Sequence, residues 1–180
     1  MLKMENTFNT NLEPIFEYGY TGPGPEDAAE RARAYREFEV CDVEKALTVL
    51  FGEMLEQEYG REIFCGTLPE HVRNGSAVRL LAGNPGAEGD YWEGKISFFM
   101  RDRNREKVLQ SCNRLLVTLP LLKWVTIRSV LQKNAVTISS IRVAGEPEET
   151  ESNGAGLTGT GVEVFFDLRV YIVPPAAEFI

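Results

Sequence analysis

The sequence predicts an α+β fold: an antiparallel sheet of hairpins with two main amphipathic helices packed on one face. Apolar residues recur at the three–four spacing of a buried helix face over Val43–Glu58 and again over Arg105–Leu119. Over Val162–Val173 they alternate with a period of two, which is typical of a strand with one apolar face. The elements therefore follow the order helix, strands, helix, strands, and that order favours a layer of helices on a layer of hairpins.

Both helices have start and stop signals. Asp42 is placed to cap the first helix by accepting a hydrogen bond from a free backbone amide, and Gly60 suits the position just past its end. Asn104 is a plausible cap for the second helix, which Pro120 stops. Residues 1–24 look irregular, and a short surface helix is predicted over 25–37 because proline favours a first helical position.

The other strands are shorter. Glu62–Cys65 is one candidate, and Ala77–Met100 reads as a hairpin whose turn lies at Gly83-Asn84-Pro85-Gly86. Within the ambiguous residues 121–134, Trp124–Ile127 favours a strand, whereas 129–133 could equally form a turn of helix.

Val136–Val143 is the expected partner of the final strand, and the break in alternation at Ser139-Ser140 indicates a bulge. The connection Ala144–Thr160 is acidic, then rich in glycine, and long for a hairpin. We expect it to be mobile, or ordered only by a partner.

The length of 180 residues suits one domain with an extension. We expect an N-terminal extension over residues 1–40, a single α+β domain over 41–174 and a C-terminal tail over 175–180. No basic region followed by an apolar run is visible near Met1, and no apolar stretch approaches the roughly 20 residues that span a bilayer. The expectation is a soluble protein in the cytosol, with no membrane partner.

The formal net charge of −8 argues against tight non-specific binding to nucleic acid, which requires lysine and arginine to replace counterions. The charge is unevenly distributed, because residues 1–60 are mostly acidic and basic residues dominate between Arg101 and Lys133. Such asymmetry suits self-association or an acidic partner, and an ordinary solvated surface is an equally good interpretation.

Two motifs resemble ligand sites, but their context is unfavourable. Residues 154–159 match GxGxxG, yet an acidic loop precedes them and a strand follows, whereas a dinucleotide site needs a strand before and a helix after. Glu146, Glu148, Glu149 and Glu151 could gather a hard cation, but their spacing matches no calcium loop. We therefore expect no cofactor and no metal.

Candidate catalytic residues are equally weak. His71 could in principle activate Cys65 or Cys112, but Cys112 falls on an apolar helix face and nothing places His71 near either thiol. Trp92 and Trp124 are interpreted as core or interface residues rather than as base-stacking groups. The expectation is no enzyme and no catalytic residues. A small hydrolase or transferase using acidic residues, and a monomeric protein-binding module, stay open as alternatives.

The run Asp42–Val173 resembles the tail-terminator proteins (minor tail or head–tail joining proteins) of long-tailed bacteriophages. The likeness lies in the order of elements: the opening helix, the hairpin Ala77–Met100, the charged step Arg101-Asp102-Arg103-Asn104, the second helix and two closing strands that end in Phe165–Tyr171. Residues 1–40 and the long Glu146–Gly161 connection depart from the family pattern.

The resemblance implies a structural phage or prophage protein without a catalytic site. Such proteins form a ring, typically hexameric, that ends growth of the tail tube and provides the head-docking surface. The implied partners are other copies, the tail-tube protein and the head–tail connector, while DNA passes through without specific binding. The implied location is the bacterial host cytoplasm during assembly and then the virion tail.

A ring requires contacts between copies. The final strand Val162–Val173 is expected to offer free edge groups for pairing with a neighbour. The side chains selected as candidate contacts are Arg101, Arg103, Arg105, Glu146, Glu148, Glu149, Phe165 and Tyr171.

Overall fold

The computed structural model describes residues 15–18, 37–86, 91–151 and 159–172, which form two helices and eight strands. The helices are α1 (Val40–Leu55) and α2 (Arg105–Thr118). The strands are β1 (Ile15–Tyr18), β2 (Ile63–Cys65), β3 (Gly75–Pro85), β4 (Tyr91–Asp102), β5 (Lys123–Arg128), β6 (Val136–Val143), β7 (Glu148–Glu151) and β8 (Thr160–Tyr171). Strand β1 was not predicted, and it pairs with β5 at one edge of the sheet.

The strands form one sheet in the order β1-β5-β6-β8-β4-β3-β2, and β7 also pairs with β8. Every pair is antiparallel except β2–β3, so the prediction of a purely antiparallel sheet is wrong and the sheet is mixed. The loop 66–74 returns the chain so that β3 runs in the direction of β2. The Gly66 amide donates to the Val78 carbonyl oxygen, and the Ser76 amide donates to the Glu62 carbonyl oxygen, each at a distance of 2.8 Å. These two hydrogen bonds fix the pairing.

Both helices pack on one face of the sheet, as predicted. The alternation in β8, continued by the residue that follows the strand, places six side chains on that face, and all are buried: Val162, Val164, Phe166, Leu168, Val170 and Ile172. The Phe51 ring of α1 meets the rings of Phe98 and Phe166 at 5.8 and 5.9 Å between centroids. Each fully buried side chain of this size contributes roughly 1.5–3 kcal/mol, so this layer dominates the stability of the fold.

The sheet curls around α1, because strands near its two ends, β2 and β5, both contact this helix. Residues 46–52 are consequently buried on every side. Gly52 permits the close approach of β2, since a Cβ atom there would lie 3.3 Å from the Ile63 side chain and 3.1 Å from the Gln57 carbonyl oxygen.

The predicted limits of α1 are wrong at both ends. The helix begins at Val40, and Glu39 occupies the N-cap position without a side-chain hydrogen bond. Asp42 lies inside the first turn, where its buried carboxylate accepts hydrogen bonds from the Lys133 and Asn134 amides, both at 2.9 Å. The residue predicted to cap its own helix therefore binds the backbone of a distant loop instead. At the other end Glu56, with φ 55°, takes the left-handed position expected of Gly60.

The second helix follows its prediction closely. The Asn104 side chain accepts a hydrogen bond from the Lys107 amide at 3.3 Å, which confirms the cap. The α-helix ends at Thr118, and Leu119–Leu121 continues as a 3-10 turn that contains Pro120.

The β3–β4 hairpin is confirmed, but its predicted turn is wrong. Gly83 pairs with Gly94, and Pro85 pairs with Trp92 as the last step of the ladder. The Trp92 indole lies against the two glycines, since a Cβ on Gly83 or Gly94 would fall 1.8 or 2.2 Å from its ring atoms. Gly83 therefore makes room for an aromatic ring.

Strand β8 lies in the interior of the sheet, so the expectation that it offers a free edge is wrong. One side pairs with β4, and the other pairs with β7 along its first residues and with β6 along its last. The connection 144–160 was expected to be mobile or ordered only by a partner, but its residues 148–151 form strand β7 and pair with β8 of the same chain. The bulge at Ser139-Ser140 is confirmed by a register shift between Ile138 and Ser140.

Several predictions fall wholly or mostly outside the described residues: the helix over 25–37, the glycine motif over 154–159 and the tail over 175–180. The division into 1–40, 41–174 and 175–180 stays a prediction. No helix within the described residues is long and apolar enough to cross a membrane.

Candidate interaction surface

The outer sheet face, defined as the side of the sheet opposite α1 and α2, is unusually aromatic. Alternation along the strands places six half-buried rings on this face: Phe64, Tyr91, Phe99, Trp124, Phe165 and Tyr171. A sheet face that meets only water normally carries polar side chains. Half-exposed aromatic rings, in contrast, are typical of protein interfaces.

Three of these rings form one cluster at the end of β8. Tyr171 lies between Tyr91 and Trp124, with centroid separations of 5.1 and 5.7 Å. Arg169 stacks on the Tyr91 ring at 5.0 Å, a cation–π contact. These contacts hold the rings in place, so the cluster is a preorganised platform.

Next to this cluster lies a groove of about 380 Å³, which crosses β3, β4, β8 and β6. We call it the Arg142 groove. Its charged side chains stand in two rows: Arg142, Asp167 and Lys95 in one, and Arg169 and Glu93 in the other. On β3 its wall consists of small or short residues, Ala82, Gly83 and Asn84, which leave the concavity open.

Four of the five charges are paired across strands. Arg169 binds Glu93 at 2.8 Å, and Lys95 lies 3.9 Å from Asp167. Arg142 is exposed and makes no ion pair or side-chain hydrogen bond with the described residues, although Asp167 is opposite it in the register. The groove thus carries one uncompensated positive charge in a chain whose net charge is −8.

The candidate contact residues do not form a single site. Arg105 and Glu149 pair with each other in a two-bond contact at 2.8 and 3.1 Å, and hydrogen bonding from Arg105 lowers the pKa of Glu149. Arg101 donates to the Val72 carbonyl oxygen, and its Nε is buried without a partner among the described residues. These three side chains are therefore engaged within the chain.

The other candidates lie at the surface or are half-buried. Arg103, Glu146 and Glu148 are exposed, and Phe165 and Tyr171 lie half-buried on the outer sheet face. The sequence reasoning missed Arg142 and its groove. The alternation of β8 predicts that Asp167 and Arg169 lie on its polar face. The charges that meet them there depend on which strands pair with β8, and β8 itself does not reveal this.

The residues considered for catalysis form no nucleophile–base pair. His71 is exposed and has no hydrogen bond to Cys65 or Cys112. Burial raises the pKa of Cys112 to about 12, and burial together with a hydrogen bond to Glu44 raises that of Cys65 to about 11. No group of three or more histidine, cysteine, aspartate or glutamate side chains within the described residues could hold a metal ion.

The thiols are expected to alkylate in the order Cys41, Cys65, Cys112. At pH 8 about a thousandth of Cys65 would be thiolate, given its pKa of about 11, and the thiolate is the reactive form. Iodoacetamide labelling followed by mass spectrometry should show the exposed Cys41 reacting first. Glu44→Gln removes the negative partner, and should speed labelling of Cys65 but not of Cys112. Equal rates for Cys65 in both proteins would contradict this assignment.

Comparison with known proteins gives little beyond the geometry. No protein-family model and no curated protein matches the sequence. Among solved structures, the fold is similar to a chain in the virion of a native gene transfer agent particle, with a TM-score of 0.38 and 8% identity. The match covers 79% of this chain and 92% of that chain. At this TM-score the likeness carries no functional argument.

Proposed function

We propose that this protein is a structural assembly protein that forms a homo-oligomeric ring on the end of a phage-like tail tube. The observation that carries the proposal is the outer sheet face, with its half-buried rings beside a charged groove. Half-buried aromatic rings on either side of a charged groove are suited to contact with another protein. The proposal assigns the chain no catalytic role.

The arrangement of the sheet favours faces over edges as the contact between copies. Strand β8 is paired on both sides, and β3 carries a bulge after Leu80 and a proline at position 85 along its free end. Glu44 also accepts the Leu80 amide at 2.7 Å. Bulges, proline and charge are the devices that blunt an edge against further pairing.

The order of elements supports the particular kind of assembly proposed. Its basis is the resemblance to tail terminators, whose opening helix, hairpin, second helix and closing strands have counterparts in α1, β3–β4, α2, β6 and β8. On this proposal the ring stops tube growth and presents the surface on which the head docks. Its partners are the tail-tube protein and the head–tail connector, and it resides in the virion tail.

Replacing an aromatic side chain of the outer sheet face with a charged one should abolish assembly. Phe165→Glu places a charge among the half-buried rings, and we expect the protein to stay monomeric in sedimentation velocity while its circular dichroism spectrum is retained. The matched control is Val117→Glu, because Val117 is 57% exposed on α2, in the helical layer. Val117→Glu should assemble normally. Loss of assembly in Val117→Glu alone would place the contact on the helices and contradict the choice of surface.

A further inference from the structure

We propose that the Arg142 groove of one copy receives Glu148 and Glu163 of another copy. This inference rests on the proposed self-assembly and names the surfaces that meet. It starts from two electrostatic imbalances in the chain, one positive and one negative, that lie at different places on the sheet.

The negative imbalance is a pair of like charges in register. Glu148 of β7 lies directly opposite Glu163 of β8. Like charges at opposite positions of an antiparallel pair destabilise the sheet. Neither carboxylate forms an ion pair with any cation in the described part of the chain, so a cation from outside would relieve the repulsion.

The segment that carries Glu148 is held in place. Its neighbour Glu149 is bound by Arg105, and residues 148–151 pair with β8. Because the backbone that carries Glu148 is already ordered, a partner that binds there loses less conformational entropy than with a mobile loop.

The positive imbalance is Arg142, the uncompensated cation of the groove. It lies opposite Asp167, four residues along β8 from Glu163, a separation of roughly 13 Å at about 3.3 Å per residue. Within one chain the two imbalances remain unpaired, whereas in two copies the charges are complementary. Both patches lie on the outer sheet face, so two copies that meet through this face bring each groove to the other copy's carboxylates.

Charge reversal tests this contact without removing apolar surface. Arg142→Glu and Glu148→Lys should each weaken self-association about tenfold or more. Glu148→Lys also converts the repulsive pair with Glu163 into an attractive one, so it should not harm folding. Arg142→Ala provides a second variant in case Arg142→Glu is unstable beside Asp167. Arg114→Glu is the matched control, because Arg114 is an exposed arginine on α2, in the helical layer and away from the outer sheet face.

The most direct test mixes the two charge-reversed variants, Arg142→Glu and Glu148→Lys. In a contact between the two variants, the glutamate at position 142 of one meets the lysine at position 148 of the other, and the remaining contacts are native in charge. Native mass spectrometry should therefore show mixed oligomers from two proteins that do not assemble alone. If the wild-type chain assembles and Arg142→Glu and Arg142→Ala assemble equally well, this inference is wrong while the proposed function stands. If the wild-type chain stays monomeric, both fail.

Discussion

Replacing Asp42 with alanine is expected to lower the free energy of unfolding by about 3 kcal/mol. Its carboxylate is only 1% exposed and accepts the amides of Lys133 and Asn134 at 2.9 Å, with the Asn134 side chain at 3.4 Å. Alanine leaves these donors without an acceptor and leaves a void at the start of α1. Hydrogen bonds to a charged group each contribute about 1.5–3 kcal/mol and are not fully additive.

Two further variants separate this effect from a general loss of charge. Asp42→Asn keeps one acceptor oxygen and should fall between alanine and wild type. Glu39→Ala removes the ion pair between Glu39 and the same Lys133, whose side chains are 44% and 71% exposed, and should leave the urea midpoint nearly unchanged. Urea unfolding measures all three. A change below about 1 kcal/mol for Asp42→Ala would show that the bridge to the β5–β6 loop is unimportant.

Gly94→Ala is expected to destabilise the protein by about 2–4 kcal/mol, because a new methyl group cannot coexist with the Trp92 ring. The Cβ position lies 2.2 Å from that ring. Trp92 is 4% exposed, and its other contacts include the ring of Phe38 at 6.1 Å. The indole would have to leave its place between the sheet and the residue that precedes α1.

A double-mutant cycle tests this reason directly. Trp92→Ala alone should cost about 3–5 kcal/mol, as for other buried tryptophans. Once the ring is gone, Gly94→Ala should add only about 0.5 kcal/mol, since the space is free. Asn84→Ala, at an exposed neighbouring position on β3, is the control and should change stability by less than about 0.5 kcal/mol. Additive effects of Gly94→Ala and Trp92→Ala would contradict the packing account.

Both contacts hold the same part of the molecule. Asp42 ties the start of α1 to the β5–β6 loop, and Phe38 and Trp92 tie the chain just before it to β4. The aromatic cluster of Tyr91 and Tyr171 lies on the opposite face of the same sheet end. A loose α1 would therefore disturb the outer sheet face, so assembly variants must be compared at equal stability.

Local patterns predicted the elements well where one periodic signal dominates. The apolar spacing of α2, its Asn104 cap and the alternation of β8 each survive in the structure. Asp42 and Gly83 were misread because each has a local use and a tertiary one. The carboxylate can cap its own helix or bind a distant loop, and glycine can allow a turn or the approach of an indole. The sequence contains no signal that decides between them.

The candidate surface was predictable only in part. Phe165 and Tyr171 were selected from an alternating strand, and they lie on the outer sheet face. Arg105 and Glu149 were selected for contacts between copies, yet they bind each other across 44 residues of chain. The Arg142 groove depends on the pairing of β6 with β8 and of β8 with β4. Strand order is a property of the whole chain, and a strand's own residues do not reveal its neighbours.

Negative-stain electron microscopy of the purified full chain tests the central claim most directly. The account predicts closed rings of uniform diameter, hexamers if the tail-terminator pattern holds, which disappear in Phe165→Glu and persist in Val117→Glu. Single small particles at every protein concentration, or open filaments in place of rings, would contradict it.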